Sequence, residues 1–290
     1  MAAQLIRGAP LAARIREQVI AALGGSKPCL ANVAIAPDGA SLAYLDAIDR
    51  ACAKAGLLSR RRVLPAGAPP EELMDALEEL RADPSVHGLM VQFPLPKDVD
   101  AAAVVALVPP HKDVDGITRA SLGAVLAGER RHVAPCTAAA VVELLASDPR
   151  LSPEGRDVCV IGRSLVVGRP LAAMLAAPLP GGQATVTLCH TRSRDVAAHA
   201  RRADIVIVAA GVRGLLKPEM VRPGAIVIDV GTHPVQGPDG PSLAGDADPA
   251  VAEVAGFLTP VPGGVGPVTN AVLLRHVTAA ARPGYLAPAW

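Results

Sequence analysis

Residues 158–171 constrain the fold of this chain more than any other stretch. They begin with a short apolar run rich in β-branched residues, turn at Gly162, and continue beyond Gly168 in an Ala/Leu-rich helical pattern. A strand that passes through a glycine turn into a helix delivers the helix N-terminus to a bound phosphate. The stretch predicts an α/β fold and, unless it is an ordinary strand-to-helix turn, a nucleotide site.

Two well-known glycine motifs do not fit this stretch. Ser164 stands where the dinucleotide fingerprint G-x-G-x-x-G has its second glycine. Val166 stands where the nucleophile elbow G-x-S-x-G has its last glycine, so Ser164 is not predicted to be a nucleophile.

Length and composition narrow the class of protein. At 290 residues the chain can form two modest domains. Hydrophobic residues make up 51% of the chain but aromatic residues only 2%, so the core must be aliphatic and base stacking on aromatic side chains is not expected. The net charge is +1, and the basic residues are scattered except at 60–62, which argues against a nucleic-acid partner.

The cysteines and the first residues indicate the compartment. The cysteines have no C-x-x-C pair and lie in apolar surroundings, so we expect reduced core residues and no metal site; they are Cys29, Cys52, Cys136, Cys159 and Cys189. The start of the chain has no signal-like apolar region, and no stretch approaches the roughly 20 apolar residues that span a bilayer. We expect a cytoplasmic protein without a membrane partner.

Helical and strand patterns alternate along the first half of the chain. Helices are expected over residues 11–23, 41–55, 70–82 and 101–108, strands over 32–36, 60–65 and 88–94, and further helices over 137–145 and 269–281. Ser41 is the expected N-cap of the second helix, on which Tyr44 and Ile48 lie one turn apart on a shared face. The alternation predicts a parallel sheet, whose ligands bind beyond the carboxyl ends of the strands.

Two polar positions stand out in this half. Gln92 closes a strand at the expected mouth of the sheet, where it either faces a ligand or caps the strand end. Residues 112–116 place a lysine and two carboxylates, Asp113 and Asp115, in one turn. On spacing alone this turn is expected to be solvated, with a site role for Asp115 as the alternative.

The second half carries the cofactor signals. A strand at 184–189 ends in His190 and a basic segment, whereas an NAD-preferring fold has Asp or Glu there to hold the ribose hydroxyls. Together with Arg163, the guanidiniums of Arg192 and Arg194 favour the 2′-phosphate of NADP, unless they are surface charges.

Glycine-ended segments complete this half. The strands at 203–211 and 224–231 end in Gly211 and Gly231, as expected along a cofactor groove. The nonamer at 259–267 sets three glycines among three prolines, which suits a loop pressed against a flat ligand or a stiff interdomain linker.

Several segments, in order along the chain, match one family. They are 91–96, 112–116, 135–137, 162–164 with 167–168, 185–187 with 189–190, 229–231, 245–246 and 259–267. On these segments the sequence resembles the bifunctional methylenetetrahydrofolate dehydrogenase and methenyltetrahydrofolate cyclohydrolase family. The resemblance implies an α/β folate domain of residues 1–136 plus 267–290, a Rossmann-like NADP domain of residues 137–266, a cleft between them for a tetrahydrofolate one-carbon substrate, and a homodimer.

The resemblance also implies roles for individual residues. Tyr44 would stack near the folate, Gln92 would face the reacting centre and Asp115 would bind the amino edge of the pterin. The implied substrate contacts are Tyr44, Val91, Gln92, Phe93, Asp115, Pro262, Gly263, Gly264, Gly266 and Thr269. The implied NADP contacts are Gly162, Arg163, Ser164, Gly168, His190, Thr191, Arg192, Gly211, Gly231 and Thr232.

One catalytic position departs from the family. The family's catalytic helix reads S-x-x-Y-V-x-x-K, and here Ser41 and Tyr44 are kept while Ile48 takes the lysine's place. Arg50 lies on another helical face and is a poor substitute. Because isoleucine cannot transfer protons, we expect an NADP-dependent dehydrogenase with weak or lost cyclohydrolase activity. The alternatives are a paralogous oxidoreductase for another one-carbon or pterin-like substrate, and a folate-binding pseudoenzyme.

Overall fold

The computed structural model describes residues 2–129, 132–237 and 240–282, which form two parallel sheets, a hairpin and the helices around them. The helices are α1 Ala9–Leu23, α2 Gly39–Ala55, α3 Pro70–Ala82, α4 Ala101–Ala106, α5 Arg119–Leu126, α6 Cys136–Ala146, α7 Gly168–Ala176, α8 Val196–Arg202 and α9 Val265–Ala280. The strands are β1 Gln4–Leu5, β2 Cys29–Ile35, β3 Leu58–Leu64, β4 Gly88–Val91, β5 Asp157–Ile161, β6 Thr185–Cys189, β7 Ile205–Val208, β8 Ile226–Asp229, β9 His233–Gly237, β10 Gly240–Ala244 and β11 Phe257–Leu258.

The smaller sheet has the order β3-β2-β4, and both of its strand pairs are parallel, as the sequence predicts. Its central strand β2 is buried along its whole length. Side chains alternate between the two faces: Leu30 and Ala34 join the core that contains α2, whereas Ala31 and Val33 join the core that contains α3. Gln92 follows β4 at the carboxyl edge, where its backbone N donates to the Val33 carbonyl at 2.8 Å.

The larger sheet has the order β1-β11-β8-β7-β5-β6, again with parallel pairs throughout. The strand β5 lies between β6 and β7. The chain therefore passes from β5 to β6 on one side and then crosses to β7 on the other side, which reverses the strand order. A crevice opens at such a switch point, outside the carboxyl ends of the strands. The expected cofactor groove therefore lies where β5 and β7 end.

One apolar core joins the two sheets. It includes Leu30 of the smaller sheet, Val160 and Ile207 of the larger sheet, Ile48 of α2 and Val272 of α9. The last helix, α9, packs against α1 and α6, so it lies among elements from the first half of the chain. No helix of the described ranges is long and apolar enough to cross a membrane.

Several elements differ from the sequence-based expectations. Helix α4 ends at Ala106 rather than at residue 108, and α5, α8 and the hairpin of β9 and β10 are not predicted. The N-cap of α2 is Asp38 rather than Ser41, because the Asp38 carboxylate accepts a hydrogen bond from the backbone N of Ser41 at 2.8 Å. Helix α9 begins at Val265 rather than at Thr269, which places Gly266 in its first turn. The strands β1 and β11 have two residues each, too few for a pattern to reveal, and they pair with each other at the edge of the larger sheet.

Candidate active site

The glycine turn after β5 packs directly against the end of β7. Gly162 has a φ of 128°, and a Cβ there would overlap the carbonyl oxygen of Ala209. A Cβ on Gly168 would overlap the carbonyl oxygen of Gly162. Because only glycine allows this approach, the start of α7 lies directly against the ends of β5 and β7.

Ser164 stabilises this turn from within. Its Oγ accepts hydrogen bonds from the backbone N of Val167 at 3.1 Å and of Gly168 at 3.4 Å. Within the described ranges no histidine contacts the hydroxyl, so nothing there activates it as a nucleophile. The Ser164 hydroxyl and carbonyl thus bind the first N–H groups of α7, and the Arg169 N donates to that carbonyl at 3.1 Å. The use of this turn as a nucleotide site stays a prediction.

The basic segment after β6 forms a compact turn with its charges outward. The His190 ring accepts a hydrogen bond through Nδ1 from the backbone N of Arg192 at 3.1 Å, and the backbone N of His190 donates to Ser193 Oγ at 3.0 Å. The side chains of Thr191, Arg192 and Arg163 are exposed. A dinucleotide with a phosphate on its ribose fits this edge, since guanidiniums bind phosphate in forked pairs.

Two buried aspartates hold the rest of the cofactor edge. Asp246 accepts hydrogen bonds through Oδ2 from the backbone N of Ala210 at 2.7 Å and of Gly211 at 2.9 Å. Asp229 accepts through Oδ1 from the backbone N of Gly231 and of Asp246, both at 2.9 Å. A Cβ on Gly231 would overlap the Asp246 carboxylate, whereas Gly211 is exposed with open space beside it. The carboxylates thus fix both glycine-ended strands.

The turn between residues 112 and 118 is buried rather than solvated, which corrects the expectation from its charges. Asp113 is 2% exposed and accepts hydrogen bonds from the backbone N of Gly116 at 2.8 Å, of Ile117 at 3.1 Å and of Thr118 at 2.9 Å. Ser121 Oγ donates to the same carboxylate at 2.7 Å. Asp113 therefore organises the turn that carries Asp115.

Lys112 is also buried, and its ammonium is used inside the protein. Its Nζ donates to the carbonyl oxygens of Asp83 at 2.7 Å and Arg81 at 2.8 Å, at the end of α3. Burial lowers the pKa of Lys112, but the carbonyl acceptors hold its donors. Lys112 therefore ties the turn to α3, and its donors are not available to a ligand.

Tyr44 and Asp115 come together at the end of the smaller sheet. Burial and the charge of Asp113 raise the pKa of Asp115 to about 7, and a hydrogen bond with the Cys136 thiol offsets part of that rise. Burial, followed by the charges of Asp115 and Cys136, raises the pKa of Tyr44 above its ordinary value. Tyr44 is therefore a neutral hydroxyl beside a carboxyl group that titrates near neutral pH.

The segment after β4 contributes one polar group to this place. Gln92 is half-buried, and its Nε2 donates to the carbonyl oxygen of Phe93 at 2.9 Å. Phe93 itself is 36% exposed. The Val91 side chain belongs to the core on the α3 side of the sheet, so only its backbone can reach a ligand on the Tyr44 side.

The segment 262–269 passes from a loop into α9. Pro262 and Gly266 are exposed, Gly263 is half-buried and has a φ of 106°, and Gly264 is buried. The Thr269 hydroxyl donates to the Val265 carbonyl at 3.3 Å, within the helix. The loop thus offers backbone and small side chains, as a surface for a flat ligand requires.

Ile48 lies one turn after Tyr44, as predicted, and is 1% exposed within the same core cluster. This position has no proton to give and no contact with solvent.

Within the described residues, no group of three or more His, Cys, Asp or Glu side chains is arranged to hold a metal.

Four residues near the glycine-ended strands and the turn of residues 112–118 have no role in the sequence-based predictions. Asp229 and Asp246 lie in segments that matched the family, and this placement was the available signal. Cys136 also lies in such a segment, although its thiol was expected only to fill the core. His276 gave no signal, because it sits in the apolar pattern of α9.

Comparison with known proteins agrees with this arrangement. Family models for the tetrahydrofolate dehydrogenase/cyclohydrolase catalytic domain and for its NAD(P)-binding domain match residues 6–115 and 135–284. The bifunctional protein FolD 2 of Frankia alni is 46% identical over an alignment of 290 residues, which covers 97% of each chain.

Solved structures of similar proteins share the whole architecture. The bifunctional enzyme FolD of Campylobacter jejuni gives a TM-score of 0.87 at 36% identity, over 97% of this chain and 99% of that one. The FolD protein of Trypanosoma brucei, complexed with NADP cofactor and inhibitor, gives 0.89 at 33% identity, over 97% of this chain and 98% of that one. The chain therefore belongs to the tetrahydrofolate dehydrogenase/cyclohydrolase family.

Proposed function

We propose that this protein is an NADP-dependent 5,10-methylenetetrahydrofolate dehydrogenase whose methenyltetrahydrofolate cyclohydrolase activity is weak or absent. The family and the NAD(P)-binding domain support the first part. The second part rests on one observation: Ile48, 1% exposed, stands one turn after Tyr44 where the family resemblance expects a lysine.

The two half-reactions need different help from the protein. When bound, NADP supplies the nicotinamide C4 that accepts a hydride from the one-carbon bridge of the substrate. The resulting methenyl cation is stabilised by its two flanking nitrogens, so this step chiefly requires positioning. Hydrolysis of the cation adds water and requires proton transfers, for which general acid–base assistance is worth ~10²- to 10⁴-fold.

The residues of the site suit positioning. In this proposal Asp115, as a carboxylate, accepts hydrogen bonds from the amino edge of the pterin, and Tyr44 packs against the ring. The loop 262–266 lies against the flat face, and Gln92 turns its amide toward the one-carbon bridge. Gly162, Gly168, Gly211 and the exposed Arg192 hold the cofactor.

The methenyl intermediate provides the direct test. Reduced nicotinamide and methenyltetrahydrofolate are followed together by absorbance after mixing enzyme, NADP and methylenetetrahydrofolate. We expect both to rise together, with methenyl product decaying at the uncatalysed rate. Decay that accelerates in proportion to enzyme concentration contradicts the loss of cyclohydrolase activity. Binding of both NADP and a folate without turnover, measured by calorimetry and absorbance, indicates the folate-binding pseudoenzyme. NADP binding without folate binding indicates another substrate.

Restoring the lysine tests the role of position 48. Ile48→Lys is expected to raise the cyclohydrolase rate at least ~10-fold, because an ammonium enters the site beside Tyr44. Its melting temperature should fall, since the position is buried and a charge there must be desolvated. Ile48→Met, of similar length without charge, is the matched control and should leave hydrolysis unchanged. Equal hydrolysis rates in both variants contradict the assigned role.

The proposal also includes an oligomeric state and a cellular location. The family resemblance implies a homodimer, which light scattering of the purified protein tests, and the sequence favours a cytoplasmic location, which fractionation of cells tests. A monomeric mass contradicts the first, and recovery of the protein from the membrane fraction contradicts the second.

A further inference from the structure

Two side chains from distant parts of the chain converge on the peptide that precedes Asp115. The imidazole Nδ1 of His276, on α9, lies 3.0 Å from the carbonyl oxygen of Val114. The thiol of Cys136, at the start of α6, lies 3.2 Å from the same oxygen, and its one proton is shared between this carbonyl and the Asp115 carboxylate. The backbone N of Cys136 donates to the Asp115 carbonyl at 3.3 Å. The peptide planes on both sides of Asp115 are thus held from outside the turn.

The protonation states of this pair follow from their partners. Burial and neighbouring Arg275 lower the pKa of His276 to about 4, so the ring is neutral at neutral pH. A carbonyl oxygen only accepts, and therefore the single N–H of the neutral ring must be on Nδ1. Burial and the adjacent Asp115 carboxylate raise the pKa of Cys136, so its thiol remains protonated and acts as a donor.

His276 and Cys136 also lie too deep to act on a substrate themselves. Both side chains belong to residues that are 3% exposed, and Sγ and Nδ1 are 3.4 Å apart. The other titratable and charged groups around Asp115 are Tyr44 from α2, Asp113 in the turn, and Arg275 from α9, which pairs with Glu143 of α6 at 2.6 Å. Asp115 and Tyr44, in contrast, are only partly buried, so a ligand can reach these two members of the cluster.

We propose that His276 is a positioning residue for the folate substrate, because its Nδ1–H bond to the Val114 carbonyl, supported by the Cys136 thiol, fixes the direction of the Asp115 carboxylate. This inference rests on the proposed function, in which Asp115 binds the pterin. It adds a link from α9 to the substrate-binding turn that involves neither the cofactor edge nor Ile48.

Amide substitutions separate this role from general stability. In His276→Asn the amide nitrogen occupies the place of Nδ1 and can still donate to the Val114 carbonyl, whereas in His276→Gln the amide lies one bond further out. We expect His276→Gln and His276→Leu to raise the KM for methylenetetrahydrofolate about 5- to 20-fold. The kcat and the KM for NADP should change less than twofold, and His276→Asn should recover most of the substrate KM.

A variant on the same helix serves as the stability control. Thr278 is fully buried, and its hydroxyl donates to the Leu274 carbonyl at 2.9 Å within the same helix. Thr278→Val should lower the melting temperature about as much as His276→Gln but leave the substrate KM unchanged. Equal substrate KM values in wild type, His276→Gln and His276→Leu overturn the inference alone. If wild type does not turn over methylenetetrahydrofolate, the proposed function fails and the inference fails with it.

Discussion

Two edges of this protein are built by different means. They are the cofactor edge, where β5 and β7 end, and the folate edge, at the turn of residues 112–118, each named for the ligand that we propose it binds. At the cofactor edge, glycines bring backbone segments into contact, and the carboxylates of Asp229 and Asp246 bind the N–H groups of the adjoining turns. At the folate edge, one turn is held by Asp113 from within and by Cys136 and His276 from outside. The first edge is therefore fixed by backbone shape, and the second by a network of side chains.

Under the proposed function, this difference explains how position 48 can hold isoleucine instead of lysine without loss of the fold. The nucleotide groove is formed by backbone atoms, and its shape depends on glycines that let two backbone segments approach each other. The folate edge can exchange one side chain for another as long as the remaining contacts hold the turn. Ile48 packs in the core that also contacts Tyr44, so the proposed exchange would remove a proton donor and leave an apolar wall.

The largest expected effect comes from replacing one glycine with alanine at each edge, which adds a methyl group there. Gly162→Ala should weaken NADP binding at least ~100-fold, because the new Cβ overlaps the Ala209 carbonyl and the φ of 128° disfavours alanine. Gly116→Ala, whose Cβ would overlap the backbone of Ala134 at a φ of 73°, should instead weaken folate binding. Calorimetry with each ligand measures both effects.

A third glycine provides the control for these two variants. Gly123, on α5, has open space where a Cβ would lie and no positive φ. Gly123→Ala should therefore keep both affinities and gain up to about 1 kcal/mol in unfolding free energy. The comparison between the two edges breaks down if Gly162→Ala weakens folate binding more than NADP binding.

A smaller effect is expected from two carboxyl groups whose pKa is raised by burial. The pKa of Asp115 rises to about 7, so its ionised form destabilises the folded state above that pH, and this cost disappears as pH falls toward 4. Asp115→Asn should therefore raise the unfolding free energy by about 1–2 kcal/mol at pH 8, a figure reduced because the side chain is partly exposed, and by nothing at pH 4.

The substitution Asp229→Asn should instead lower the unfolding free energy at pH 8. Burial raises its pKa to about 6, but its oxygens accept three backbone N–H groups. In Asp229→Asn the new NH₂ group faces one of these donors, so the variant should lose about 1–3 kcal/mol at pH 8. Thermal unfolding from pH 4 to pH 8 measures both variants. Stabilisation of both at pH 8 contradicts the distinction between the two edges.

The sequence predicts the cofactor edge far better than the folate edge, for a physical reason. A strand, a glycine turn and a helix are local in the chain, so the turn at Gly162 and the exposed guanidiniums after β6 can be predicted from neighbouring residues. The folate turn depends on contacts between Val114, Cys136 and His276, which are separated by up to 162 positions. No local pattern reports such contacts.

Local patterns also fail where a charge is buried. Lys112 and Asp113 have the composition of a solvated turn, yet both are buried because the ammonium and the carboxylate each find backbone partners. The same limit applies at the N-cap of α2, where Asp38 and Ser41 are both residues that cap helices. Only the geometry distinguishes them, since the Asp38 side chain accepts the bond from the Ser41 backbone.

The smallest expected effect compares one hydroxyl at each edge. Ser121 is 3% exposed and donates to the Asp113 carboxylate, so Ser121→Ala leaves a buried charge with one donor fewer and should cost about 1–2 kcal/mol. Ser164 is exposed, and water can replace its Oγ as acceptor for the Val167 and Gly168 N–H groups, so Ser164→Ala should cost about 0.5 kcal/mol or less. Denaturant unfolding measures both losses. Equal losses would mean that the glycine turn depends on its side chain as much as the folate turn does, which contradicts a cofactor edge fixed by backbone shape.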